Sequence, residues 1–261
     1  MNLTERQMVQ ILSELRSLYH VTSVKAEFEA EGTRMDEAIR LKDIAMQAGL
    51  HFNLKIGGCE AVRDMFDAVT LGASRIIAPM VESPFALQKF LKAAKTHLHS
   101  RDNSIELFIN IETITACHNF DRILAIAEIE ELKGVVIGRV DLAGSLGIER
   151  PDIDSNQTIT DLCHTIATKA KQKGLVVVVG GAISANSLPF LRSFADGAID
   201  RYETRKVIFS CPAALNNPVD AFKKAVEFEM LWLQNKKRYY SHISLEDEAR
   251  LKMIEQRLTN S

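Results

Sequence analysis

The sequence predicts an α/β protein of the TIM type: a (β/α) barrel, with an irregular or missing strand and long C-terminal helices. Three observations predict it. The length of 261 residues suits one large barrel domain. Short β-branched runs alternate along the chain with longer amphipathic ones, as in repeated strand–helix units. Strand candidates such as Leu175 to Val179 are apolar on both faces, as expected in a parallel sheet covered on both sides.

The elements follow in order. Thr4 to Leu18 reads as a helix, with Thr4 as N-cap and Leu3, Met8, Ile11, Leu12 and Leu15 on one face. Val21 to Phe28 is a strand, and Met35 to Ala48 a helix closed by Gly49. The strand His51 to Ile56 runs into Gly57-Gly58, and the helix Glu60 to Leu71 stops at Gly72. Arg75 to Val81 is a buried strand. Ser83-Pro84 then opens a helix with proline in its first turn. Strand Ile105 to Ile111, helix Cys117 to Ile129 and strand Gly134 to Gly138 come next. Asp141 to Asn156 reads as a long loop with short-helix potential. Helix Thr158 to Lys173, strand Leu175 to Val179, helix Ser187 to Phe194 and a last strand within Gly197 to Phe209 complete the alternation. Asp220 to Asn235 and Ser244 to Leu258 read as two terminal helices. That makes seven strands. A barrel needs eight, so one is hidden near the C-terminus or missing; an open doubly wound sheet would accept seven. Residues 1–261 are expected to form a single barrel domain, with 217–261 as its helical extension.

Composition excludes several classes. A formal net charge of -2 gives no basic excess for nucleic acid, and no basic amphipathic tract points to a membrane surface. The four cysteines, Cys59, Cys117, Cys163 and Cys211, form no CxxC pair and read as reduced thiols. The N-terminus lacks the apolar run of a signal peptide, so a cytoplasmic location is expected.

In parallel α/β folds reactive groups gather beyond the carboxyl ends of the strands. Here Glu112 follows FINI and Asp141 follows VVIGRV. Two converging carboxylates that leave room for water and substrate oxygens suit Mg²⁺ or Mn²⁺. Zinc fits poorly without a nearby His or Cys. The competing reading makes each carboxylate a helix cap, Asp141 ahead of Leu142 and Glu112 beside Thr113. Lys55 with Gly57-Gly58 suits a carboxylate or phosphate, or else Lys55 pairs with Glu29. Gly180-Gly181 is a weaker candidate of the same kind. In DRYETRKVIF, strand alternation would put Arg201, Glu203 and Arg205 on one face, either as an interior ion-pair network or on a solvated edge. Cys59 lies nearest these groups, but no Cys-His-Asp arrangement accompanies it.

The runs RIIAPMVES, LFINIET and GVVIGRVDLAGSLG together resemble the HpcH/HpaI aldolase and citrate lyase β-chain family of the phosphoenolpyruvate/pyruvate barrel superfamily, most closely over Phe52 to Gly147. The resemblance implies that Glu112 and Asp141 hold the divalent metal, which binds a 2-keto acid and stabilises its enolate. It also implies that Asn110 and the small residues Ala143, Gly144 and Ser145 meet substrate. Three positions depart from the family pattern. Lys55 stands where an Arg is usual, and lysine offers a point charge in place of a bidentate fork. AEFEAEG has Glu27 and Glu29 but not the family's histidine. Arg139 replaces a proline beside the metal ligand.

The function expected from these features is that of a metal-dependent carbon–carbon lyase, aldolase or synthase acting on a 2-keto acid or related carboxylate. Lys55, Glu29 and Arg139 are its catalytic candidates, and Arg205 a candidate for a second carboxylate or phosphate. The rivals are a catalytically altered, metabolite-binding or regulatory barrel, and a non-aldol enzyme of a sugar acid or phosphorylated metabolite. The expected partner is a small carboxylate, with neither nucleic acid nor membrane. The family resemblance implies a homo-oligomer; in AVEFEMLWLQNKKRYY, Val226, Met230 and Leu233 form one apolar stripe and Phe228 and Trp232 lie on another side, which suits either a partner subunit or packing over the bottom of the barrel.

Overall fold

In the computed structural model of the chain, which describes residues 1–98, 105–216 and 218–259, eight strands close into a barrel in sequence order. The elements are α1 (Leu3–Tyr19), β1 (Val21–Glu27), α2 (Met35–Gln47), β2 (His51–Lys55), α3 (Val62–Leu71), β3 (Arg75–Ala78), α4 (Pro84–His97), β4 (Glu106–Ile111), α5 (Ile114–Ile123), β5 (Gly134–Gly138), α6 (Arg139–Ser145), α7 (Gln157–Gln172), β6 (Val176–Gly180), α8 (Leu188–Arg192), β7 (Arg201–Glu203), β8 (Val207–Ser210) and α9 (Pro218–Thr259). Residues 217, 260 and 261 of the expected C-terminal extension lie outside the described residues.

The strand missing from the seven is β8. The single strand expected within Gly197 to Phe209 is a hairpin, turning at Thr204, Arg205 and Lys206. β1 to β7 pair in parallel, whereas β8 runs antiparallel to both β7 and β1. The reason is length: three residues can reverse a chain but cannot make the crossover that a parallel neighbour needs. Arg205 therefore sits in the turn and does not continue the face of Arg201 and Glu203.

Two further boundaries differ from expectation. Helix α1 is capped by Asn2, not Thr4. Asn2 Oδ1 accepts the Glu5 amide at 2.9 Å, and Glu5 Oε2 accepts the Asn2 amide at 2.8 Å, a reciprocal capping box. The two terminal helices are one, α9, because no Gly or Pro interrupts the stretch between them. Phe228 and Trp232 pack inward and are buried, while Val226, Met230 and Leu233 are exposed.

Alternation divides the strand residues between two surfaces. Outward side chains such as Ile76, Ile109, Ile137 and Val179 join the main core under the helices. Inward side chains stack in layers. Near the N-terminal end, Arg75 reaches across β2 to Ser23 Oγ at 3.0 Å and pairs with Glu106 at 2.6 Å. Above them Ile77, Phe108, Val136 and Val178 form a separate apolar cluster. Burying each such side chain is worth about 1.5–3 kcal/mol. The cluster makes a dry floor beneath the polar residues at the C-terminal mouth.

Candidate active site

The mouth opens into a cavity of about 1040 Å³, lined among others by Lys25, Glu27, Lys55, Asn110, Glu112, Asp141, Glu203 and Arg205. Glu112 lies at its base and is 1% exposed. It does not cap a helix: Thr113 caps α5, its side chain accepting the Ala116 amide at 3.1 Å. With that task filled by its neighbour, Glu112 continues the inward face of β4. Its Oε2 accepts from Asn110 Nδ2 at 2.6 Å and from Lys55 Nζ at 3.4 Å. Its Oε1 accepts the Met80 amide at 3.0 Å, which the left-handed backbone at Met80 (φ 51°) accompanies. Gly138 makes the seat, since a Cβ there would stand 2.7 Å from Glu112 Oε2.

Asp141 lies in the first turn of α6, with no side-chain capping bond at that helix start, and it is exposed on the cavity wall. Ser145, on the same helix, accepts the Ile114 amide at 2.9 Å, which ties α6 to the start of α5 beside Glu112. Burial pushes the Glu112 carboxyl up. Lys55, Asn110 and the Met80 amide oppose that, and the Asp141 charge adds to it, so the net position is above the ordinary carboxylate range.

Lys55 lies between two carboxylates. Its Nζ is 3.0 Å from Glu29 Oε2, an ion pair without hydrogen-bond alignment, and 3.4 Å from Glu112. Burial would lower the ammonium's pKa, but the charge of Glu112, joined by Glu29 and Glu27, holds it above the usual lysine range. Lys55 is thus a fixed cation and not a base.

A second buried network was missed in the sequence. Lys25 pairs with Glu27 at 2.8 Å and Glu203 at 2.5 Å. Burial and the two carboxylates act oppositely on Lys25, and the carboxylates prevail, raising its pKa. Ser23, Lys25 and Glu27 alternate along VTSVKAE. That polar period within an apolar strand was the available signal of an interior face. Lys206 was missed because its turn was taken for strand.

The other candidates divide. Asn110 lines the cavity, and its Oδ1 is buried without a hydrogen-bond partner. Arg205 lines the rim but is paired with Glu31 at 3.0 Å. Ala143, Gly144 and Ser145 lie within α6 and do not line the cavity, so the structure does not bring their amides to it as expected. Arg139 also departs from its expected place. It is fully buried behind the wall, donating to the Gly181 carbonyl at 2.9 Å and to Asp154 at 2.8 Å, over the Phe190 ring. Its donors are committed to the fold. The Gly57 amide is likewise committed, to Asp64 at 2.7 Å. Burial pushes the Cys59 thiol up, against a nucleophilic role.

The donor set fits Mg²⁺ or Mn²⁺. Among the described residues no group of three His, Cys, Asp or Glu side chains is placed to hold a metal ion, so the candidate site rests on two carboxylates. Glu112 and Asp141 would hold the ion and leave the remaining positions to water and substrate, as Mg²⁺ prefers. The orphaned Asn110 Oδ1 and the mutual repulsion of the two carboxylates are both features that a bound cation with its waters would relieve.

A sequence model of the HpcH/HpaI aldolase/citrate lyase family matches residues 44–188. The chain belongs to this family. No curated relative matches the sequence. Among solved structures, the chain is similar to citrate synthase SbnG at 17% identity, over 72% of this chain and 79% of that one, with a TM-score of 0.56. It is similar at 15% identity to a family protein from Burkholderia cenocepacia J2315, over 93% of this chain and 91% of that one, with a TM-score of 0.59. These likenesses carry the fold. Family membership supports a lyase- or aldolase-type activity for this HpcH/HpaI protein. Among its described residues no helix is long and apolar enough to cross a membrane.

Proposed function

We propose that this HpcH/HpaI protein makes or breaks a carbon–carbon bond next to the carbonyl of a 2-keto acid, with a divalent metal held by Glu112 and Asp141. The observation that carries the reading is the seating of Glu112. A carboxylate buried at a strand end, in a notch cleared by Gly138 and facing the same cavity as Asp141, costs folding energy that ordinary packing does not require. When bound, Mg²⁺ or Mn²⁺ would supply Lewis-acid stabilisation to the enolate oxygen. The chain's own groups do the rest. Lys55 places a permanent positive charge beside the developing anion. Glu29, partly buried and paired with Lys55 through one oxygen, is the candidate base for the proton next to the carbonyl. Asn110 orients Glu112 through its amide nitrogen, and its unpartnered carbonyl oxygen would be available to accept from a substrate hydroxyl or water. The apolar floor excludes water below.

One observation favours the rival reading of a metabolite binder without turnover: among the described residues no histidine lines the cavity. Pyruvate methyl-proton exchange in D₂O, which needs enolisation but no acceptor, tests the choice. Exchange should require Mg²⁺ or Mn²⁺ and fall at least about 100-fold in Lys55→Met, the cost of one electrostatic stabiliser. Metal binding without any exchange in the parent protein would support the binder.

A further inference from the structure

The antiparallel eighth strand puts something at the mouth that a parallel strand would not: a tight turn carrying two adjacent cations, Arg205 and Lys206. Both reach across to the β1–α2 loop and close on one residue, Glu31. Arg205 Nε meets Glu31 Oε1 at 3.0 Å, Lys206 Nζ meets Oε2, and the Thr33 hydroxyl stands 3.3 Å from the same oxygen. The Lys206–Glu31 pair is buried, while Arg205 closes it from the half-exposed side. The Lys206 side chain is 4% exposed and that of Glu31 12%.

This loop is the one that carries Glu29. Its own internal bonds are local: Gly32 to the Glu29 carbonyl at 3.3 Å and Thr33 to the Glu27 carbonyl at 3.2 Å, with Gly32 in the left-handed region. Ala30, Gly32 and Arg34 are exposed. Glu29 itself is held to Lys55 by an ion pair at 3.0 Å. The loop is attached on both sides of Glu29: the Phe28 amide donates to the Lys55 carbonyl at 2.9 Å, and Glu31, two residues on, is held by the turn.

We propose that Glu31 is a positioning residue: clamped by Lys206 and Arg205, it fixes the β1–α2 loop so that Glu29 stays against Lys55. The inference rests on the reading of Glu29 and Lys55 as working groups of the site. Glu31 touches neither, so it acts through the loop. The departure of this barrel's last strand from parallel order thereby supplies what orders its candidate base.

The test uses Glu31→Gln and Lys206→Met in the full-length protein, with two readouts. In amide hydrogen exchange by mass spectrometry, peptides spanning residues 28–34 should exchange at least about tenfold faster in both variants, while peptides from β4 and β5 stay unchanged. In metal-dependent pyruvate proton exchange, Glu31→Gln should lower kcat about tenfold, with KM and Mn²⁺ affinity within twofold of the parent. Adding Glu31→Gln to Glu29→Gln should then cost nothing more, because the first acts only through the second. Unchanged loop exchange in both variants overturns the clamp, and so do losses that multiply in the double variant. A parent protein without pyruvate exchange overturns the reading of the site instead, and the loop amides still decide the clamp.

Discussion

Gly138 and Glu112 form a matched pair, one residue absent of side chain so that the other can be buried. The account makes a direct demand on this pair. Gly138→Ala would place a methyl 2.7 Å from Glu112 Oε2 and 2.8 Å from its Cβ, so the carboxylate must shift. Such overpacking costs about 1–3 kcal/mol. Calorimetric titration should show Mn²⁺ affinity down at least about tenfold, with a lower melting temperature. The pair was half legible in the sequence. Glu112 stood out as a charge where an apolar run ends, whereas the role of Gly138 depends on register between β4 and β5 that no local pattern reveals. Asp141 was legible for the same reason as Glu112. Ala143, Gly144 and Ser145 misled because a small-residue run after a strand reads as a loop offering free amides; here it is helix α6, whose carbonyls and amides bond to each other.

At the scale of elements, Arg139 ties the start of α6 to the loop after β6. Gly181 permits the contact, with φ at 85° and no space for a Cβ, which would lie 2.7 Å from the Arg139 amide. A cation beside a metal-ligand carboxylate in the sequence invites a catalytic reading, and only side-chain direction distinguishes it from a brace. Arg139→Gln should therefore lower thermal stability by about 1.5–3 kcal/mol, the worth of hydrogen bonds to a charged group. Mn²⁺ affinity should change by less than about threefold. A large loss of affinity at unchanged stability would return Arg139 to the site. The hairpin of β7 and β8 was the least legible element. Its turn residues Thr204, Arg205 and Lys206 include neither Gly nor Pro, so the punctuation that marks most turns was missing. The long helix α9 was misread for the opposite reason, a break being assumed where no breaker exists.

For the whole molecule, the alternation of strand and helix was enough to indicate a parallel sheet covered on both faces, but seven visible strands left an open doubly wound sheet beside the barrel. What the alternation hides is the interior, where the buried residues Lys25, Glu27, Lys55, Glu112 and Glu203 concentrate charge around the cavity. That concentration has a pH signature. Burial pushes Glu27 up, but Lys25 outweighs it and holds the carboxyl below its ordinary value. A carboxylate with a depressed folded pKa contributes stability above its unfolded pKa of about 4.3 and loses it as pH falls through the folded value. The melting temperature should accordingly drop as pH is lowered below about 4.3, and Glu27→Gln should flatten that drop. An equally steep acid limb in the variant would assign it to other carboxylates. The raised Glu112 has the opposite sign: its protonated form is favoured by the fold, and its contribution fades as pH rises through its folded pKa.

Glu112 and Asp141 are proposed to share one divalent ion in contact with a 2-keto acid. Crystals soaked with Mn²⁺ and oxalate, a planar mimic of the pyruvate enolate, test it by anomalous diffraction. The expected result is a single manganese peak at Glu112 and Asp141, with oxalate density beside it, and no peak in Glu112→Gln. A peak elsewhere in the barrel, or an undiminished peak in the variant, would contradict it.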